Sequence, residues 1–247
     1  MYYKFNGSQG NNLPSPITDS TGNVTFTKYT GTGGSLKYGE SNPVIAESTA
    51  SADFDPCVGL YRDDTGENDP LRLAGWQYTI EMWVNPDNLD GSLDIDDDDP
   101  EAEWLDENWD LVLIGKFNSW MIGIEDPGEN DRFVFELGGN NEGMEDGSAV
   151  VGKWVHLAAV YDNTVEGDNL FLYVNGILEE NVDGGTNPSD NNYPVTIGYA
   201  WKDDVNVGRY FDGLIDEVRI YDIALTPCEF LLFPGPEWAS CPSPYDG

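Results

Sequence analysis

A strand-like stretch near the end of the chain, FDGLIDEVRIYDIALTPCEF at 211–230, sets a carboxylate among apolar side chains. Along an extended backbone Leu214, Asp216, Val218 and Ile220 share one face, and Ile215, Glu217, Arg219 and Tyr221 share the other. An acid on an apolar face must be paired, hydrogen-bonded or metal-bound, because burial otherwise drives it to its neutral form. Glycosidic hydrolysis needs two carboxylates held at a fixed separation. Asp216 lies among core positions with Glu217 opposite, and DIDDDD at 94–99 lacks the β-branched or aromatic partners that hold an alternating strand. A nucleophilic triad would have to use His156, the single histidine. It lies in WVHLAAVY at 154–161, sharing a face with Trp154, Ala158 and Val160, which predicts a hydrogen-bonded structural histidine. Asp94, Asp96 and Asp98 begin with the spacing of a calcium-binding EF-hand loop, but its sixth position is Asp99 and its twelfth Leu105. No phosphate-binding loop or dinucleotide fingerprint occurs, and no catalytic role is expected.

Cys57, Cys228 and Cys241 form neither a zinc spacing nor a CxxC pair. A bridge from Cys228 to Cys241 would fasten the tail through a short loop and leave Cys57 free. Eleven Lys and Arg against 46 Asp and Glu give a formal charge of −35. That field repels nucleic acid and anionic membrane and attracts cations, serving divalent-ion binding, solubility in salty surroundings, or both.

Recognition remains. A sugar face stacks on an exposed aromatic ring while neighbouring carboxylates and amides take its hydroxyls. YAWKDDVNVGRYFDG at 199–213 offers that mixture: Tyr199, Trp201, Asp203, Asp204, Asn206 and Arg209 lie in one inter-strand connection. Trp83, opposite Ile80, Met82 and Val84, is a second ligand-binding candidate.

These groups must be placed by strands. The aromatic fraction of 13%, with 28 Gly and 15 Pro, suits short strands and turns. Strand-like runs recur at 2–5, 24–29, 78–84, 111–117, 120–124, 132–137, 153–162, 170–174 and 195–200, roughly a dozen in all with the last one. Asn175 and Gly176 separate two such runs and suit the positive φ of a type I′ hairpin turn. In LTPCEF, Thr226, Pro227 and Glu229 predict one capped helical turn. Between Asp87 and Asp110, 24 residues hold 12 carboxylates and no Lys or Arg, so this insert is expected to be solvated or ion-dependent, with Trp104 and Trp109 favouring docking. One domain over 1–233, with the acidic loop 87–110, and a Pro-rich tail at 234–247 is the expected organisation.

In the same order, YTIEMWVNP, LVLIGKF, FVFELGG, GKWVHLAAVYD, LFLYVNGILEEN, VTIGYA and YFDGLIDEVRIYDIALTPCEF resemble the laminin-G-like and pentraxin-like domains of the concanavalin A-like lectin/glucanase superfamily. The resemblance covers 76–230, and YYKFNG with ITDSTGN is similar to that family's opening strand and turn; 31–75 and the acidic insert match poorly. It implies an all-β jelly-roll sandwich of two antiparallel sheets with calcium at the rim. It also implies a partner for Asp216 in the first turn, where Asp19 and Asn23 would share the ion. Against calcium stand two simpler fates for Asp216: capping backbone amides of the turn, or pairing with Arg219 or Arg209.

The expectation is a calcium-stabilised, non-catalytic module that recognises glycans or a protein neighbour outside the cell or on a particle surface. The rival is a structural subunit of an extracellular filament or virion, favoured by Met1 falling directly on a strand with no export signal and by the Pro-rich tail.

Overall fold

The computed structural model describes residues 1–31, 34–45, 48–73, 75, 77–89, 109–125, 131–138, 144–184, 190–202, 205–206 and 209–230. Its strands are β1 (Tyr2–Tyr3), β2 (Ile17–Thr18), β3 (Thr25–Thr30), β4 (Leu36–Tyr38), β5 (Ala52–Phe54), β6 (Val58–Arg62), β7 (Gln77–Pro86), β8 (Trp109–Lys116) and β9 (Trp120–Glu125). There follow β10 (Arg132–Leu137), β11 (Met144–Ser148), β12 (Val155–Asp162), β13 (Leu170–Val174), β14 (Ile177–Val182), β15 (Val195–Ile197), β16 (Trp201–Lys202), β17 (Val205–Asn206) and β18 (Gly213–Tyr221). The first sheet has the order β14-β13-β12-β7-β18-β5-β4, with β1 also on β18, and the second β11-β10-β9-β8-β15-β6-β3-β2. Both are antiparallel, as in a jelly-roll sandwich.

The core lies between the inner faces. From β7 come Tyr78, Ile80, Met82 and Val84, from β12 Leu157, Ala159 and Tyr161, and from the facing sheet Phe26, Leu60, Ile122, Ile124, Phe133 and Phe135. Each set follows the two-residue alternation of a pleated strand.

The outer face of the first sheet is also covered, which explains why β7 is buried at nearly every position. Leu225 and Phe230, beyond β18, pack on Ala158, Val160, Phe171 and Tyr173. The Thr79 hydroxyl ties this strap down, donating to the Ile223 carbonyl at 2.9 Å and accepting from the Leu225 amide at 2.9 Å.

Scarce cations seal one end of the sandwich. Lys116, 1% exposed at its side chain, donates to Asp64 at 2.8 Å and to the Tyr193 carbonyl. Arg72 engages Asp64 through two nitrogens and also reaches Asp190 and Asn192. Burial works to raise the Asp64 pKa, but the Arg72 and Lys116 hydrogen bonds prevail and hold it far below the usual carboxylate range.

Three expectations change. Strands outnumber the expected dozen because two- and three-residue segments such as β1, β2, β4 and β5 carry too little periodicity to read. The acidic insert 87–110 yields its last two residues to β8; its positions 90–108, including Trp104, lie outside the described residues. At 226–229 a hydrogen-bonded turn stands in place of a helical one and half of the expected capping box forms: Glu229 accepts from the Thr226 amide at 2.8 Å, but the Thr226 hydroxyl donates to Glu229 at 2.9 Å while the Glu229 amide donates to the Thr226 carbonyl at 2.8 Å. Helix among the described residues is confined to a 3-10 turn at Pro70–Arg72, and none is long and apolar enough to cross a membrane. The Asn175–Gly176 hairpin forms between β13 and β14 with φ of 52° and 76°.

Candidate functional site

On the outer face of the second sheet, alternation exposes Thr27 and Tyr29 from β3 and Tyr61 from β6, with Thr27 directly across from Tyr61 and Tyr29 across from Gly59. Thr196 of β15 flanks Tyr61 on its other side. The chain leaving β15 returns over this face and lays down two more rings. Tyr199 stacks on Tyr29 with centroids 5.1 Å apart and planes 19° apart; Tyr210 lies 6.0 Å from Tyr199 at 15° and 6.4 Å from Tyr29 at 13°. Gly59 makes this possible, because a Cβ there would come within 2.0 Å of the Tyr199 ring. Tyr199 and Tyr210 are buried foundations, while Tyr29 and Tyr61, packed against them, are half-exposed. Burial, with the Tyr210, Tyr29, Tyr61 and Asp63 charges, drives the Tyr199 hydroxyl far above its usual pKa and keeps it neutral.

Beside the tyrosines stands the 199–213 connection singled out from sequence. Trp201 and Asn206 face each other across the β16–β17 hairpin. Asp203 and Asp204 lie outside the described residues. Arg209 has a left-handed φ of 52°, and its carbonyl accepts from the Val112 amide at 3.2 Å, anchoring the loop to β8. Tyr29 and Tyr61 were missed by sequence reasoning. The Thr27–Tyr29 alternation was visible, but the pairing of β3 with β6 and the return of 199–210 over both were not.

Asp216 needs a correction. It is fully buried, yet on the outer face: it pairs across from Trp83, which itself opposes His156 on the side away from Met82 and Val84. A β-bulge between Asp216 and Arg219, with Glu217 at φ 54°, switches the alternation so that Ile215, Val218 and Ile220 all face the core. Asp216 accepts from the Ser48 hydroxyl at 2.8 Å and from its neighbour Glu217's amide at 2.9 Å, with the Phe5 backbone adding a third bond. Burial outweighs these bonds and raises its pKa to about 7.

Asp19 caps its own turn. One oxygen accepts from the Asn23 and Val24 amides at 2.9 Å each, the other from the Thr21 hydroxyl and, at 3.3 Å, from the Tyr2 amide. Burial pushes its pKa up, but the Thr21, Val24, Tyr2 and Asn23 hydrogen bonds win and bring it to about 2. The Asn23 side-chain amide donates to Thr21 at 3.1 Å. Hydrogen-bond donors thus already meet both carboxylate oxygens of Asp19 and of Asp216. Among the described residues no three acidic, histidine or cysteine side chains are grouped to hold a metal.

Trp83 lies on the expected face but is 2% exposed, edge-on to His156 at 5.3 Å, so it offers no stacking surface to solvent. His156 Nε2 lies 3.0 Å from Glu81, whose other oxygen accepts from Tyr221 at 3.1 Å. Glu217 is held by Tyr2 and by Arg219 at 3.1 Å. Cys228 is disulfide-bonded and Cys57 is free; Cys241, the remaining cysteine, lies outside the described residues.

The family model described as "Concanavalin A-like lectin/glucanases superfamily" matches residues 65–230. No curated protein matches the sequence. Among solved structures the chain is similar to domain 4 of AbnA, a GH43 extracellular arabinanase from Geobacillus stearothermophilus, in complex with arabinotriose: 23% identity, 92% of this chain and 93% of that one, TM-score 0.59. It is also similar to the receptor binding domain of botulinum neurotoxin type G (14% identity, 92% of this chain and 48% of that one, TM-score 0.52). The binding domain of botulinum neurotoxin DC in complex with rat synaptotagmin II gives 16% identity over 91% of this chain and 49% of that one, with a TM-score of 0.51.

Proposed function

The chain belongs to the concanavalin A-like lectin/glucanases superfamily, and on that premise we propose that it is a non-catalytic module binding a glycan on the tyrosine face of its second sheet, outside a cell or on a particle surface. The observation that carries this reading is the near-parallel set Tyr29, Tyr199 and Tyr210, with Tyr29 and Tyr61 half-exposed beside the Trp201–Asn206 hairpin. Buried rings beneath half-exposed ones make a rigid platform, which reduces the ordering cost of binding. Sugar C–H faces settle on such rings, and Thr27, exposed and across from Tyr61, stands beside them to take a hydroxyl. The arabinotriose bound by the arabinanase domain supports an oligosaccharide as the ligand class.

A non-catalytic role is supported by the fate of the buried acids: Glu81 is engaged by His156 and Tyr221, and Glu217 by Tyr2 and Arg219. Calcium at Asp19, Asn23 and Asp216 is a proposal carried by the resemblance alone, and glycan binding on the opposite sheet does not depend on it.

The test is an oligosaccharide array followed by calorimetry, with arabinotriose among the probes. Tyr61→Ala and Trp201→Ala should each weaken binding by about ten-fold or more while the melting temperature holds. Binding unaffected by both, or release of new reducing ends from a bound polysaccharide, would overturn the reading.

A further inference from the structure

We infer that the glycan taken by this face is uncharged, and that uronate-, sulfate- or sialate-bearing chains are turned away; this rests on the glycan reading above. The strands that build the platform sort their side chains by charge. Thr27 and Tyr29 stand on the outer face and Lys28, between them, points inward, where it pairs in register with Leu60 and donates to the Leu36 carbonyl at 3.1 Å. Tyr61 stands outside, whereas the next residue, Arg62, turns inward across from Val195 and is held by both oxygens of Asp69. Gly115 faces outward and Lys116 inward, into the ion pair with Asp64. Three strands thus each carry a basic residue beside a platform position, and in each the alternation sends it through the sheet.

Beyond the strands, half-exposed Arg209, next to Tyr210 in the chain, keeps its Nη1 buried. Exposed Asp63 follows Tyr61 by two residues, on the same side, and its charge is felt at the Tyr199 hydroxyl. Thr27 and Thr196, flanking Tyr61, are neutral. An anionic sugar placed here would meet ring faces and the Thr27 hydroxyl beside exposed Asp63 under a chain field of −35, while the basic side chains of β3, β6 and β8 point inward. A neutral sugar pays none of that repulsion.

Calorimetry and array binding at 20 and 500 mM NaCl would test this with neutral arabinan, xylan and β-glucan oligosaccharides against polygalacturonate, alginate and sulfated oligosaccharides. The expected result is binding confined to neutral chains, changing less than about two-fold with salt, since no counterions are released. Asp63→Lys should leave neutral binding in place and admit acidic chains measurably at low salt. Acidic chains bound by the unmodified protein as tightly as neutral ones would overturn the inference while leaving the glycan reading intact. Failure of both classes to bind would overturn the glycan reading, and this inference with it.

Discussion

At the residue scale Asp216 shows how burial and hydrogen bonding compete. Its pKa of about 7 lies above the unfolded value, so the folded state binds the extra proton and gains stability as pH falls. The contribution is fully present below about pH 4 and is lost as pH rises through 7. Asp212 adds to the same trend: burial first, then the Asp87, Asp55 and Asp53 charges, raise it to about 6. Asp19, lowered to about 2, acts in the opposite sense and loses its contribution only below about pH 4. Thermal melts should therefore show higher stability near pH 5 than at pH 8, by on the order of 2 kcal/mol from Asp216. Asp216→Asn, which keeps the shape and an acceptor, should flatten that slope. An unchanged slope in the variant would show that the acid is not the source. The same melts read out the proposed calcium: a response to chelator of less than about 1 °C would rule out an ion at Asp216. A drop of several degrees, absent in Asp216→Asn, would establish the ion there.

At the scale of elements, two connections carry much of the architecture. Gly176 occupies φ 76° in the β13–β14 turn, so Gly176→Val should cost about 1–2 kcal/mol, measured by denaturant titration; no loss would mean that the turn relaxes freely. The ion cluster sealing the end of the sandwich is more sensitive. Lys116→Met removes one partner from buried Asp64 and leaves Arg72 to hold it, and should cost about 3 kcal/mol. A neutral effect would show that Arg72 compensates alone. The capping pair Thr226 and Glu229 was legible because its chemistry is local, whereas the strap's landing place on Tyr173 and His156 was not, because it depends on strands 50 to 75 residues upstream.

At the scale of the whole molecule the charge of −35 sets self-repulsion against a core closed on both sheet faces. Screening relieves the folded state more than the expanded one, so monovalent salt should raise the melting temperature by several degrees between 20 and 500 mM. Sodium and potassium should act alike, since the effect is one of ionic strength. A melting temperature indifferent to salt would mean that the acids are already neutralised or too dispersed to repel.

Strand alternation, turn chemistry and the order of the strands were legible from residues alone, because a hydrophobic period of two, an Asn-Gly turn and a capping pair are properties of neighbouring positions. These features favoured a sandwich or barrel, the family resemblance implied the two-sheet form, and the alternation correctly set Trp83 opposite Met82. They could not reveal that one extra residue at Glu217 carries Asp216 through the sheet, since a bulge exists only relative to its partner strand β7. Nor could they join Tyr29, Tyr61, Tyr199 and Tyr210, which are separated by up to 181 positions in sequence and meet because β3, β6 and β15 lie side by side. Periodicity decides which way a side chain faces along its own strand; what it faces depends on pairing between distant segments, which burial of the whole core selects.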